Sequence, residues 1–514
     1  MKIRILTISS LLVLFFSTTS IVAQKSTSQI VENNEQLTAA IASAKPNTTI
    51  IMKNGEWKNT TIDFNSKNAT ADAPITIKAE TGGKVKLNGS SSLTFSSPYL
   101  KVDGLLFDDG AISKYAVIGF NSDYCTLTNT AIVDYNPSSN DVKYYWVYFK
   151  GNHNFMNHCY FKGKSNSSPL IGNNFDGAKY NKVSYCHIKD IPYAKENGRE
   201  IFRIWGAGKL AGPSPDGAFF TVEYNLLDHA DGEGVEIISL KSNHDTVRFN
   251  TIRACMGGMT SRQGNNNTFE GNFILGEKRA GSKGIRVAGE NHHVFNNYIS
   301  DVEEDGLQIM AGEYVDEALS PKFKPAHGDP ISGGGEGAPR YRQVKNGVFE
   351  NNTIINAEEI GINIGSSYLK HWPEFQMVLM PENNIIRNNL VVNAGKNGVS
   401  ITTQDKSNSL SKFNFVANTY TTNLIDGKGI SAEGTISGFI SANAKMEAGK
   451  DGIYRPKSGS AAIDAGTPNS ISTDLDGQPR DKKVDIGADE QGKAPIKNHP
   501  LSPKEVGPNW MIVQ

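Results

Sequence analysis

Cysteine is scarce. Four residues in a chain of 514 are too few for a disulfide scaffold, their spacing matches no metal site, and none lies where a lipid anchor would attach after export. Net charge is missing too: 52 Lys and Arg stand against 53 Asp and Glu, for a total of -1. No global field therefore calls for nucleic acid or any other polyanion, and attraction for an acidic ligand has to be local. Aromatic content is modest at 9%, and only 20% of residues are charged. Beyond the first residues no apolar run is long enough to cross a membrane. What is plentiful is glycine, 50 residues, with asparagine often in pairs. That composition suits short strands joined by tight turns and argues against a helical bundle.

The N-terminus reads as an export signal over residues 1–23. Lys2 and Arg4 precede a largely apolar stretch from Ile5 to Phe16, and Ser20-Ile21-Val22-Ala23 supplies a small-residue cleavage site. The expected product is soluble, cleaved near Ala23 and secreted or periplasmic, with no membrane insertion. Nothing in the sequence fixes an oligomeric state.

One pattern recurs: an apolar residue, any residue, a mostly polar one, asparagine or a substitute, then a short apolar run. It appears as Val222-Glu223-Tyr224-Asn225, Val247-Arg248-Phe249-Asn250 and Phe269-Glu270-Gly271-Asn272, and again ending at Asn297, Asn352 and Asn389. Successive central gaps are 25, 22 and 25 residues (225 to 250 to 272 to 297). That period is too short for two helices per repeat, and the leucine lattice of leucine-rich repeats is absent. An all-β solenoid remains, a right-handed parallel β-helix with an asparagine ladder and long loops, forming one domain over residues 24–514. Each buried asparagine can bond the backbone and its neighbours above and below, a structural role. Cys159, Cys186 and Asn129 are read into the same column. The two cysteines are taken as stacked buried thiols, with a bridge between coils as the open alternative. Residues 312–343 form a long loop rich in Gly, Pro and charge, a candidate groove wall. A closing coil and cap is expected over about 450–514, centred on residues 461–490.

In such a solenoid, residues one period apart become neighbours. Lys241 and Arg262 are 21 apart, which places them one rung from each other on one face. Arg286, 24 residues further, can continue the row, and Glu236 lies five before Lys241, room for a bend between two strands of one coil. Between 241 and 290 there are eight Lys or Arg and four Asp or Glu, a basic strip on a neutral protein. A strip of this kind is also how an ordinary solvated face looks. The chemistry nonetheless suits a uronic acid polymer. Its C5 proton is α to a carboxylate, and its removal needs a base and something to neutralise the enolate-like state. A lysine with positive neighbours can serve as base, and an arginine stays charged to steady carboxylate or leaving oxygen.

Glu236-Ile237-Ile238-Ser239-Leu240-Lys241-Ser242, then Met259-Thr260-Ser261-Arg262, then Gly284-Ile285-Arg286-Val287 resemble polysaccharide lyase family 6, which includes alginate lyases and chondroitinase B. The resemblance extends to residues 74–83 and to Val506-Gly507-Pro508-Asn509-Trp510. It implies Lys241 as Brønsted base, Arg262 as acid or electrophilic partner, and Arg286 on the substrate carboxylate, with Glu236 and Gln263 as further substrate contacts. Gln263 stands where many relatives carry histidine. The family also implies a calcium ion held by a Glu-x-Glu pair and an asparagine one coil earlier. Here Glu236 matches the second carboxylate, but Gly234 replaces the first. Glu233 is expected to face the other way, since a one-residue shift inverts a strand side chain, and residues 203–208 show no asparagine. With Glu236 the one matching ligand, a hard cation is short of oxygens, and the expectation is an enzyme that works without calcium.

The expected activity is secreted cleavage of alginate by β-elimination. Alternatives are a dermatan or chondroitin sulfate lyase of the same family, a hydrolase of the polygalacturonase type, and a non-catalytic glycan-binding β-helix. The hydrolase needs paired acids, and no convincing aspartate pair stands near the Lys–Arg column.

Overall fold

The computed structural model describes residues 26–174, 178–206, 216–315, 341–372, 375–408 and 413–511. The segment read as an export signal and most of the 312–343 loop lie outside them.

Through most of the chain each short strand pairs in parallel with the strand three further on, not with its chain neighbour. Three long sheets of 14, 13 and 14 strands result, the architecture of a parallel β-helix, wound in the right-handed sense that parallel crossovers favour. Alternate residues point inward. Phe64, Phe95, Phe120 and Phe149 stack on successive rungs with ring centroids 6.2, 4.7 and 4.6 Å apart. Each is fully buried, worth about 1.5–3 kcal/mol apiece.

The asparagine column runs as one chain of hydrogen bonds. Asn225, Asn250, Asn272, Asn297, Asn352 and Asn389 each donate a backbone N–H to the side-chain oxygen of the next, at 3.0–3.1 Å. Asn423 ends the row. Cys186 opens onto it, its N–H donating to Asn225 at 2.9 Å. Asn129 is not in this column. Ala131 pairs with Tyr160, which puts Thr130 opposite Cys159 and leaves Asn129 one residue early. Its φ of 47° assigns it to a left-handed turn position, shared with Tyr185, Tyr224, Phe249, Asn296, Asn351 and Asn388. Asparagine tolerates that conformation. The aromatic residues in the row stack about 5.0 Å apart, a contact that offsets its cost. Cys159 and Cys186 are free, buried thiols.

A second ladder follows another corner, linking Asn154 to Asn181, Asp245 to Asn267, Asn267 to His292, and Asn384 to Asn418. Sequence reading overlooked it because its members vary in type.

Among the described residues one α-helix departs from the all-β pattern. Asn34–Ser43, capped by the Asn33 side chain, buries Leu37, Ala40 and Ile41 against the first coils and covers an edge that would otherwise invite pairing. The C-terminal segment differs in shape from a cap on the last coil. After an antiparallel pair, Met446–Ala448 with Tyr454–Pro456, it turns back along the outside of the solenoid. It meets Asn351 through the carbonyls of Asp485 and Gly487, Thr251 through the N–H of Leu501 and Tyr185 through Gly507. Further on, the Trp510 indole N–H donates to Asn129 O at 2.7 Å.

Candidate active site

Four neighbouring strands of the 13-stranded sheet carry the site: β1 (Phe202–Trp205), β2 (Glu236–Lys241), β3 (Gly257–Ser261) and β4 (Ser282–Val287). Leu240 pairs with Ser261, so Lys241 and Arg262 stand next to each other on adjacent rungs, as their 21-residue spacing demands. Arg286 pairs with Thr260. It therefore sits on the same outer face, diagonal to Arg262 rather than straight across.

Glu236 is not separated from Lys241 by a bend; both lie on β2. An interval of five would put them on opposite faces of a regular strand. The register shift between Glu236 and Ile238 absorbs one residue, and Ile237 and Ile238 are both buried. Glu233 precedes the strand, in a turn where Gly232 and Gly234 have φ of 57° and 74°. Strand alternation does not govern it there, and the sequence expectation for it is corrected. Phe202 pairs with Ile238 and Ile201 N–H donates to Ile237 O, so the same register carried back one more residue sets Glu200 opposite Glu236. Carboxylate oxygens of Glu200, Glu233 and Glu236 lie within 4.8 Å of one another, and all three residues are buried.

Cations meet this acidic cluster. Lys241 Nζ donates to Glu200 Oε1 at 3.0 Å, and Arg203 Nε reaches both Glu200 oxygens at 2.8 and 2.9 Å. Arg286 pairs with Glu236, Arg262 lies 3.9 Å from it, and Ser239 Oγ donates to it at 2.5 Å. Glu233 accepts the N–H of Gly198 at 2.8 Å. Tyr341 spreads its ring over both arginines, 5.4 Å from Arg262 and 5.6 Å from Arg286. The Nε atoms of these two arginines are buried without a hydrogen-bond partner among the described residues. Gln263 follows Arg262 at the end of the strand, half-buried.

Burial pushes the Lys241 ammonium below its ordinary range. Glu200 opposes that shift, while Arg203 and Arg262 add to it. Burial alone would raise Glu200, but Lys241 and Arg203 outweigh it and leave the carboxyl lowered. Glu233 is raised, by burial first and then by Glu200. The result is a lysine biased toward its neutral form beside guanidinium groups that stay charged. It opens, with Arg203 and Arg262, on a cavity of about 600 Å³.

Sequence reading missed Glu200, Arg203 and Tyr341. Arg203 is visible as an outward member of an alternating strand, Arg203 and Trp205 out, Phe202 and Ile204 in. Glu200 precedes that strand, is buried and shares the inward parity, so alternation does not reveal it. Arg203 was passed over because the search of residues 203–208 was for asparagine, and Glu200 because it lies before them. Tyr341 lies near the end of the long 312–343 loop and has no periodic address.

A family model described as Chondroitinase B matches residues 31–455. No curated protein matches the chain. Among solved structures, the PL6 family polysaccharide lyase Pedsa3628 from Pseudopedobacter saltans is 44% identical, with a TM-score of 0.75 over 94% of this chain and 99% of that one. The PL6 family alginate lyase AlyGC is 25% identical, with a TM-score of 0.73 over 94% of this chain but only 58% of its own. A PL6 alginate lyase in complex with a trisaccharide, 22% identical with a TM-score of 0.64 over 85% of this chain and 92% of that one, agrees in fold alone.

Proposed function

Because the chain belongs to the chondroitinase B and PL6 family of polysaccharide lyases, we propose that it cleaves alginate by β-elimination, with Lys241 as base and Arg262 as its partner. The observation that carries this reading is the pairing of a buried lysine, held below its usual pKa, with an arginine one rung away at the floor of a cation-lined cavity. Neutral Lys241 takes the C5 proton. The electron pair forms the C4–C5 double bond as the C4–O4 bond breaks, and the leaving O4 is steadied by hydrogen-bond donation from Arg262 before it takes a proton from the site or solvent. Arg286 and Arg203 balance the charge that builds on the substrate carboxylate. Glu236, buried beneath Arg286 and Arg262, orients both.

The calcium ion that the family implies does not fit the residues present. The cluster of Glu200, Glu233 and Glu236 offers oxygens, Glu200 filling the place on the previous coil where no ligand was expected. The Glu200 and Glu236 oxygens are already committed to Arg203, Lys241, Arg286 and Ser239, and Glu233 accepts the Gly198 N–H. Four cationic side chains face three carboxylates, so a divalent ion would have to expel its competitors. At the first carboxylate position, Gly234, a Cβ would lie 2.5 Å from the Met256 sulfur and 2.6 Å from the Tyr193 ring. Protein cations therefore do the neutralising.

Alginate with wild type and Lys241→Ala, each in excess chelator, tests the reading through ultraviolet absorbance of the conjugated product. A rise in wild type that survives chelation and vanishes in the variant is expected. No rise, or a loss restored only by calcium, would sink the alginate or the metal-free reading respectively. The family model's description, Chondroitinase B, makes dermatan or chondroitin sulfate the second substrate class to try. Export, on the strength of the N-terminal signal pattern, is part of the same proposal, since an extracellular polymer has to be met outside the cytoplasm.

A further inference from the structure

The cavity has one wall that the chemistry above leaves unused. It is made by three loops from earlier coils, around Lys143, over residues 164–168, and over residues 196–198. Their joint is Lys164, only 2% exposed, whose Nζ donates to the carbonyls of Asn166 and Ser168 at 2.8 and 2.7 Å. Burial drives this ammonium well below its ordinary range. The surrounding bonds tie the loops together. Asn166 donates to Val142 O and Tyr144 O at 2.9 and 3.1 Å, on either side of Lys143. Ser167 Oγ donates to Glu196 Oε1 at 2.6 Å, and Arg199 Nη2 donates to Lys164 O at 2.9 Å.

Ser168 has a φ of 120°, a region nearly closed to residues with a Cβ. A buried ammonium and a strained serine each cost stability, and no reacting atom needs either. What they jointly produce is a rigid wall. Lys143 is exposed at its rim, and the cavity lining as a whole has four cations, Lys143, Arg203, Lys241 and Arg262, against two carboxylates, Asp141 and Glu196. The space extends well beyond the reacting pair, further than one sugar ring requires.

We propose that this wall is a substrate subsite: Lys143 binds the carboxylate of a second uronate residue, neighbour in the polymer to the one that loses its proton, and Lys164 positions the wall. The proposal rests on the lyase reading for its substrate class. It is tested by titrating an alginate tetrasaccharide into the Lys241→Ala protein, with and without Lys143→Ala, by calorimetry at low and high salt. Affinity should fall about fivefold at low salt on loss of Lys143, the upper end for an exposed ion pair. The loss should shrink at high salt and be largely restored by Lys143→Arg. Ser168→Gly, which relieves the strained φ without opening the core, should weaken binding while leaving the unfolding temperature equal or higher. Unchanged low-salt affinity in Lys143→Ala overturns the subsite. Turnover by wild type in that case leaves the lyase standing. Absent turnover by wild type overturns the lyase, while a salt-sensitive loss of affinity in Lys143→Ala still supports the subsite.

Discussion

In the proposed reaction Lys241 takes a proton from carbon and has to be neutral, yet it rests against a carboxylate. The contradiction is settled by what surrounds the pair. Burial lowers the lysine first; Glu200 raises it; Arg203 and Arg262 lower it again. Activity should thus rise with pH through a Lys241 pKa below that of a free lysine, and the two neighbours should shift that limb in opposite directions. Glu200→Gln removes the opposing carboxylate, so the rising limb moves to lower pH. Arg203→Gln removes a like charge and frees Glu200 for the lysine, so the limb moves to higher pH. Rate profiles of the two variants that shift together would contradict this assignment. Tyr341 acts on the other half of the pair. Its ring lies over both Arg262 and Arg286, contacts worth about 0.5–2 kcal/mol each when desolvated. Tyr341→Ala should cut kcat/KM by about tenfold, and Tyr341→Phe should keep most of it, because the ring face and not the hydroxyl makes the contact.

Among strands and turns, periodicity decided what could be read in advance. Lys241 and Arg262 were legible because one coil of ordinary length separates them, and the Asn225-to-Asn389 column because each member heads the same short apolar run. Where a coil is longer or a strand bulges, the arithmetic fails. Glu200 precedes Glu236 by 36 positions, across an insertion, and the irregularity at Glu236 turns an odd interval into a shared face. Asn129 was misplaced by one residue because two adjacent columns both accept asparagine, one for its hydrogen bonds and one for its left-handed backbone. The second ladder holds a substitution of its own. Asp245, fully buried, donates no hydrogen bond, accepts from Phe220 through one oxygen and leaves the other unpartnered. Burial pushes its carboxyl up to about 8. The folded protein then keeps a proton that the unfolded chain, near 3.9, gives up. Its contribution to stability is therefore full below pH 4, declines as pH rises, and stops changing above about 8. Asp245→Asn, the residue type that Asn181 and Asn267 already use, should raise the unfolding temperature, with a gain that grows from pH 5 to pH 8. A gain independent of pH would assign the effect to packing instead.

For the molecule as a whole, the returning C-terminal segment matters most. Coils of a solenoid contact only their neighbours, which allows one end to loosen without the other. Here Leu501 and Val506 pack with Leu226, and Trp510 covers Gly82 and Gly83, where an added Cβ would lie 2.4–2.5 Å from its ring. A chain ending at residue 491 should unfold at lower temperature and in more than one step, with the early coils cut first in limited proteolysis. One transition at the original temperature would show that the segment is passive. The contact between Asn129 and Trp510 spans 381 positions, and that separation sets an order of events in synthesis. The early coils leave the ribosome and wind long before the residues that fasten them exist. Until residues 501–510 emerge, the flank beside Tyr185, Tyr224 and Leu226 stands bare, so a newly made chain depends on that stretch to become a finished one.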